Sequence, residues 1–319
     1  MCLRDLAIFR PHYMDLYDYS VFSLPLLLVA KMLRVHVTLF SIGSELYRRE
    51  LSLNRTQKTY ARLYRKVKYY LTLSCAFLAD TIVVKELHQL DRIKQLYLIN
   101  QNKVILRPNA VPHSSFWVNT NASKEYDFAY VNAVISGRNV HHFVNAHKAL
   151  SKNGGGRHVI RSMVAGFYSL SSELSHVTRD LEAEKMVLSL IGNDDTIDVY
   201  PFVSDTREIL SNTMFFVFPA DYVFLNYALL EAMASGAVPI VYSAPGSDKV
   251  VFHRKNGFIV KKGEAELIGA MDFALRMSPE SYERMSRAAV ATVKTHFSID
   301  NWVTSLDEFR HTFRLRSML

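Results

Sequence analysis

The chain has 319 residues, 49% of them hydrophobic, and a net charge of +8, which allows two domains with a core each and excludes a disordered or fibrous protein. Two cysteines, Cys2 and Cys75, exclude a disulfide framework and point to a reducing, cytoplasmic setting, where the sequons at Asn54 and Asn121 carry no meaning. The longest apolar run, residues 21–30, falls well short of the roughly 20 residues of a spanning helix and follows no charged leader, so the protein is expected in solution or at a membrane surface.

In chain order the first part alternates strand and helix: an apolar run at 6–9, a helix over about 21–33, strand 35–40, a long helix within 46–79, strand 81–84, a helix over 86–98 and strand 104–108. The helix within 46–79 holds eight basic residues and one acid, Glu50, for a local charge of +7. Tyr60, Leu63, Tyr64, Val67 and Leu71 recur on it at helical spacing, giving an amphipathic helix with a basic side. Two readings stand for it, a solvated outer face and a surface for an anionic membrane. Nucleic acid is disfavoured because no recognition motif accompanies the charge.

A polar stretch at 114–127 without periodicity marks the linker, and the pattern then restarts. Strand 128–134, helix 139–150, strand 159–166, helix 172–190, strand 197–202, a helix after Asp205, strand 214–220, a helix carrying Glu231 and strand 238–243 make a second α/β half; from 264 onward the chain is helical. Ser204–Glu208 reads as a capping box, with Asp205 as N-cap and Glu208 three residues on. Asn256 and Gly257 form a turn before a short strand. The domains are expected at 1–118 and 119–298, with a helix over 299–319 crossing back to the first.

The stretch YALLEAMASGAVP, residues 227–239, places Glu231 one turn into a helix between two apolar strands. Parallel sheets bind ligands at the carboxyl ends of their strands, so this glutamate lies near such an edge. From residue 218 to 260 the order of motifs, a leucine pair, EAMA-small-Gly, a Pro-hydrophobic strand, a glycine turn and an Asn-Gly strand, resembles the retaining glycosyltransferases of family 4. Weaker similarity covers 201–205, 107–111, 79–84 and 43–50, hence most of the chain. The resemblance implies the GT-B fold, two Rossmann-like β/α/β domains, the first of them expected to be incomplete here: the family's first strand and glycine-rich loop should lie upstream of residue 6, so either Met1 is not the natural start or the acceptor half is reduced.

The resemblance further implies transfer of a sugar from a nucleotide-sugar to a carbohydrate or lipid-linked acceptor, with retention and without a required metal or other cofactor, in polysaccharide or glycoconjugate synthesis. Glu231 is then the donor anchor, its carboxylate accepting hydrogen bonds from the ribose diol. Asn226, Tyr227 and Ala228 at the helix start meet the diphosphate, with Asn139 and Gly166 completing the donor set. Arg138 is the phosphate clamp, and Gly43 and Ser44 lie on the acceptor side. Ala232, Ala234 and Gly236 are packing residues.

The departures from the family's pattern are specific. Its second glutamate, eight positions before Glu231, is Val223 here and the next residue is Phe224; Asp221 is the acid that could take over. The family's arginine after the first strand of the second domain is Ala133, and its first-domain histidine is Ile42. These differences keep open an alternative, a catalytically impaired GT-B-like binding or partner subunit. His141, His142 and His147 lack the spacing and companions of a metal site, and residues 153–156 (NGGG) read as a turn rather than a phosphate loop.

Overall fold

In a computed structural model of the chain, the described residues are 8–9, 11–17, 23–40, 67, 70–71, 73–85, 90–91, 93, 99–116, 124–153, 159–171, 180–223 and 226–318. They fall into two compact units, residues 1–108 and 109–319. The first holds a parallel sheet of β1 (Tyr13–Leu16), β2 (His36–Phe40), β3 (Thr81–Val84) and β4 (Val104–Leu106), in that order, with α1 (Ser23–Met32) between β1 and β2. Its core is built from Leu27, Val37, Leu39, Ile82 and Val84, all fully buried.

The sequence places the first strand at 6–9, but Ile8 and Phe9 are helical and exposed, at 63% and 76%. The strand is instead YMDL, where only Met14 is buried, so its apolar signal is too thin to read. The basic helix within 46–79 lies outside the described residues except for 67, 70, 71 and 73–79, of which all but Ala79 are helical. The membrane-surface reading rests on the remainder. Among the described residues no helix is long and apolar enough to cross a membrane.

The second unit is a six-stranded, all-parallel sheet in the order β10-β9-β8-β5-β6-β7. The chain runs through β5 (Tyr126–Val131), α2 (Val140–Asn153), β6 (Ser162–Phe167), α3 (Leu181–Ile191) and β7 (Ile197–Pro201) in one direction. It crosses back through α4 (Arg207–Ser211) to β8 (Thr213–Phe218). It then proceeds the other way through α5 (Tyr227–Ala234), β9 (Val238–Tyr242), α6 (Ser247–Val250) and β10 (Phe258–Val260). Right-handed crossovers in opposite directions put their helices on opposite faces: α2 packs against α3 and α7 (Glu264–Leu275), while α5 packs against α4 and α8 (Pro279–His296). Burial on both faces explains why β5, β6 and β9 read as continuous apolar runs, every residue of each being buried.

The last helix, α9 (Ile299–Met318), follows a bridge in which the Val111 amide donates to Phe297 O at 2.8 Å and the Ile299 amide to Val111 O at 3.0 Å. β5 begins at Tyr126, inside the stretch expected as linker, because Tyr126 and Asp127 are buried in pairing with β8 and by the Arg161 segment. The capping box at Asp205 does not form. Thr206 occupies the N-cap position without a side-chain cap, and the Asp205 carboxylate is taken by the Arg207 amide at 3.1 Å and its guanidinium Nε at 2.9 Å. Gly236, expected as a packing residue, ends α5 in left-handed backbone at φ 81°.

Candidate functional site

Because the chain leaves β5 towards β6 and leaves β8 towards β9, the topological switch point lies between β5 and β8. The crevice beyond their carboxyl ends is where a sheet of this kind takes ligands. The loop after β5 supplies Asn132, Ala133 and a 3₁₀ turn, Ser136–Arg138. The loop after β8 supplies Asp221, Val223 and Asn226 before α5.

One polar chain joins the two loops. The Arg138 guanidinium donates through Nη1 to Ala133 O at 3.0 Å and to Asn132 Oδ1. Asn132 Nδ2 donates to Asn226 Oδ1 at 2.8 Å, and that same oxygen caps α5 by accepting from the Ala228 amide at 2.9 Å. The cation, two amides and the positive end of an eight-residue helix therefore converge at the switch point, an arrangement that favours an anion. Tyr227, the first residue of α5, is 51% exposed. Asn132 was not singled out in the sequence. Its partners lie six and 94 positions away, a separation no local motif encodes.

Gly166, at the end of β6, backs this loop. Its φ is 122°, and a Cβ there would stand 1.9 Å from Asn132 O, so only glycine lets the two backbones meet. Asn139 closes the turn and is itself buried, with Nδ2 donating to Pro219 O at 3.0 Å and to Asp221 Oδ1 at 2.7 Å. Asp221 also pairs with Lys262 at 2.6 Å.

Glu231 faces a separate part of the same edge. A cavity of about 300 Å³ is lined by Ser114, Ser115, Asp205, Thr206, Glu231 and Ser235 among others, and the Thr206 hydroxyl donates to Glu231 Oε2 at 3.2 Å. Desolvation, with the nearby Asp205 charge adding to it, holds the Glu231 carboxyl above the usual range despite the Thr206 hydrogen bond. The Asp205 carboxyl is in turn lowered to about 2, chiefly by the Arg207 side chain. Thr206 is the second residue the sequence did not disclose, since its hydroxyl reads there only as part of a helix start.

Val223 is fully buried, and its amide donates to Pro245 O at 3.2 Å. Val223→Glu is therefore expected to destabilise the second unit by more than about 2 kcal/mol, as an unpaired buried carboxylate does, which a urea titration reads directly. An unchanged midpoint would show that the loop opens to solvent. Gly43, Ser44, Ile42 and Phe224 lie outside the described residues.

His142 and His147 are engaged in the fold. His142 Nδ1 is 2.8 Å from the Tyr242 hydroxyl. His147 is fully buried between Ser162 Oγ and Thr196 Oγ1, each at 2.8 Å. Thr196 gives its proton to Asp194 Oδ1 at 2.6 Å, so it accepts from His147 Nε2–H, and Nδ1 accepts from Ser162. Burial holds His147 below the usual histidine range. A lowered pKa means that the unfolded chain takes the proton first: the contribution to stability is complete above about 6.5 and is lost as pH falls through the folded value. His147→Gln is expected to flatten that part of the stability profile, and an identical slope in wild type and variant would refute it. Among the described residues no group of three or more His, Cys, Asp or Glu side chains is placed to hold a metal ion.

Residues 113–291 match the family model described as glycosyl transferases group 1. The chain belongs to this family. No curated protein sequence matches it significantly. Solved structures similar to this glycosyltransferase include sucrose-phosphate synthase from Thermosynechococcus elongatus, at 14% identity and TM-score 0.74, covering 98% of this chain and 76% of that one. Another is Alr3699/HepE from Anabaena in complex with UDP, at 11% identity and TM-score 0.72, covering 97% and 82%. A glycosyltransferase from Rickettsia africae ESF-5 follows at 13% identity and TM-score 0.70, covering 96% and 78%. At these identities the shared property is the fold, GT-B with two parallel-sheet Rossmann-like units.

Proposed function

We propose that this glycosyltransferase moves a sugar from a nucleotide-sugar to a carbohydrate or lipid-linked acceptor with retention of configuration, and that the second unit holds the donor. The observation that carries the reading is the pairing, on one sheet edge, of a cation-and-helix cluster with a half-buried carboxylate one helical turn further on. Arg138 and the N-terminus of α5 would meet the diphosphate, and Glu231, oriented by Thr206, would accept from the ribose hydroxyls. Asn139 and Gly166 would shape the diphosphate side of this donor set, and Asn226, Tyr227 and Ala228 its helix end. Similar folds have been seen with such ligands: the Anabaena protein with UDP-glucose, and the pneumococcal O-GlcNAc transferase GtfA with UDP and GlcNAc.

As the bond to the anomeric carbon breaks, charge builds on the leaving diphosphate. Groups already aimed at it lower the barrier because they need no reorganisation. This scheme assigns that charge to Arg138 and the helix end rather than to a metal ion. The acceptor side is assigned to the first unit with Gly43 and Ser44, and the basic segment 46–79 to an anionic membrane surface, with synthesis of a polysaccharide or glycoconjugate at the cytoplasmic face. Vesicle sedimentation at low salt tests the last point: binding to phosphatidylglycerol vesicles no stronger than to neutral ones would remove it.

Burial of Val223 favours a second reading, a subunit that binds the donor but transfers slowly, since no carboxylate at that position can hold the sugar. Misplacing the reacting carbon by about 1 Å costs roughly 100-fold in rate. A nucleotide-release assay across several donors separates the two readings, with release at several turnovers per second excluding the second.

A further inference from the structure

The turn that carries Arg138 buries none of its own residues, and a Cβ added at Gly137 would meet nothing within 4 Å. Its conformation is nevertheless fastened from two sides. On one, Ser136 N donates to Asp180 Oδ2 at 2.9 Å, beside the start of α3. On the other, Asn139 adopts left-handed backbone at φ 49°, a conformation that side-chain-bearing residues rarely take. Its Nδ2 bridges Pro219 O and Asp221 Oδ1, while the Asp221 amide donates to Gly137 O at 3.0 Å. Three hydrogen bonds thus span the switch point between residues about 80 positions apart, and Lys262 holds the Asp221 carboxylate from the β10 side.

Core packing does not account for this clip, because the turn has no apolar side chain to bury. What it fixes is the direction in which Arg138 leaves the backbone. We propose that Asn139 and Asp221 are positioning residues: they set the Arg138 turn against the loop after β8, so that the guanidinium and the α5 N-terminus face one diphosphate. Asp221 acts through Asn139 and Lys262 and does not touch the sugar. The effect on donor binding rests on the function proposed above, whereas the rigidity of the turn does not.

The experiment uses the full chain and three variants. Asn139→Gly keeps the left-handed backbone without strain and removes the bridging amide. Asn139→Asp sets a carboxylate against Asp221, and the exchange of roles in Asn139→Asp/Asp221→Asn restores a donor facing an acceptor. Hydrogen exchange is followed in peptides covering 132–139. UDP, GDP, ADP and dTDP, with their nucleosides, are titrated by calorimetry and ligand-observed NMR.

Exchange in 132–139 is expected to rise about tenfold in Asn139→Gly with the rest of the second unit unchanged. Affinity for the diphosphate that wild type binds is expected to fall about tenfold in Asn139→Asp and to recover in part in the double variant, which restores the 139–221 hydrogen bond but not those to Pro219 O and Lys262, with nucleoside binding unaffected. Unchanged exchange and affinity would overturn the proposal, as would a rise in exchange across the whole second unit, which marks a role in the core. If wild type binds none of the four diphosphates, the donor reading fails and the exchange result alone decides whether the clip orders the turn.

Discussion

Glu231→Gln is expected to weaken nucleotide-sugar binding by about 1–3 kcal/mol, the range for losing hydrogen bonds to a charged group, while the melting temperature stays level or rises. The two effects come from one cause. The carboxyl is held above its usual range, mainly by desolvation, so the folded state prefers its protonated form. A raised carboxyl contributes stability that is complete below about 4.5 and is lost as pH rises through the folded value. At neutral pH the ionised group therefore works against folding, and a neutral isostere that still accepts from Thr206 relieves it. The same carboxylate is what a ribose diol needs, so wild-type affinity should fall as pH drops into the raised titration range and the variant's should not. Calorimetry against pH, with melting curves on the same samples, reads both. A variant that binds as tightly as wild type removes Glu231 from the site.

Gly166→Ala is expected to cost more than about 3 kcal/mol of stability, as strained or overpacked core substitutions do, and to abolish donor binding in whatever fraction remains folded. The added methyl would sit 1.9 Å from Asn132 O and 2.5 Å from its carbonyl carbon, on a residue at φ 122°. Neither a side-chain rotation nor a small shift relieves a backbone–backbone overlap. The loop that must yield carries Asn132, which links Arg138 to Asn226 and the capped helix. Gly137→Ala is the control in the same region, with open space around its Cβ position, and should melt as wild type does. Urea titrations of the pair decide it: equal midpoints would mean that the β5 loop is not held by β6.

Much of the second unit is legible in the sequence because its strands are buried on both faces. Runs such as FAYV and MFFVF have no competing interpretation, and Glu231 falls where the spacing puts it, the fifth residue of α5. The first strand is not legible. YMDL buries one side chain, whereas the more apolar 6–9 run includes an exposed Ile8 and Phe9. Asp205 and Glu208 have the spacing of a capping box, but the Arg207 guanidinium two positions from Asp205 competes for the same carboxylate and takes it. Asn132 and Thr206 acquire their parts only through tertiary contacts. Asp221, read from sequence as a stand-in for the acid missing at Val223, is found in an Asn139 and Lys262 network, whose geometry depends on a strand order that no local pattern records.

The most direct measurement is donor turnover followed by proton NMR, with UDP-, GDP-, ADP- and dTDP-linked sugars offered one at a time to wild type and to Arg138→Ala. One donor is expected to release free nucleoside diphosphate, and the sugar, on acceptor or water, to appear first with the anomeric configuration it had in the donor. Arg138→Ala should slow that release about 100-fold or more, the loss typical of removing a preorganised charge contact. An inverted first product, or release by Arg138→Ala at the wild-type rate, would contradict the proposed function.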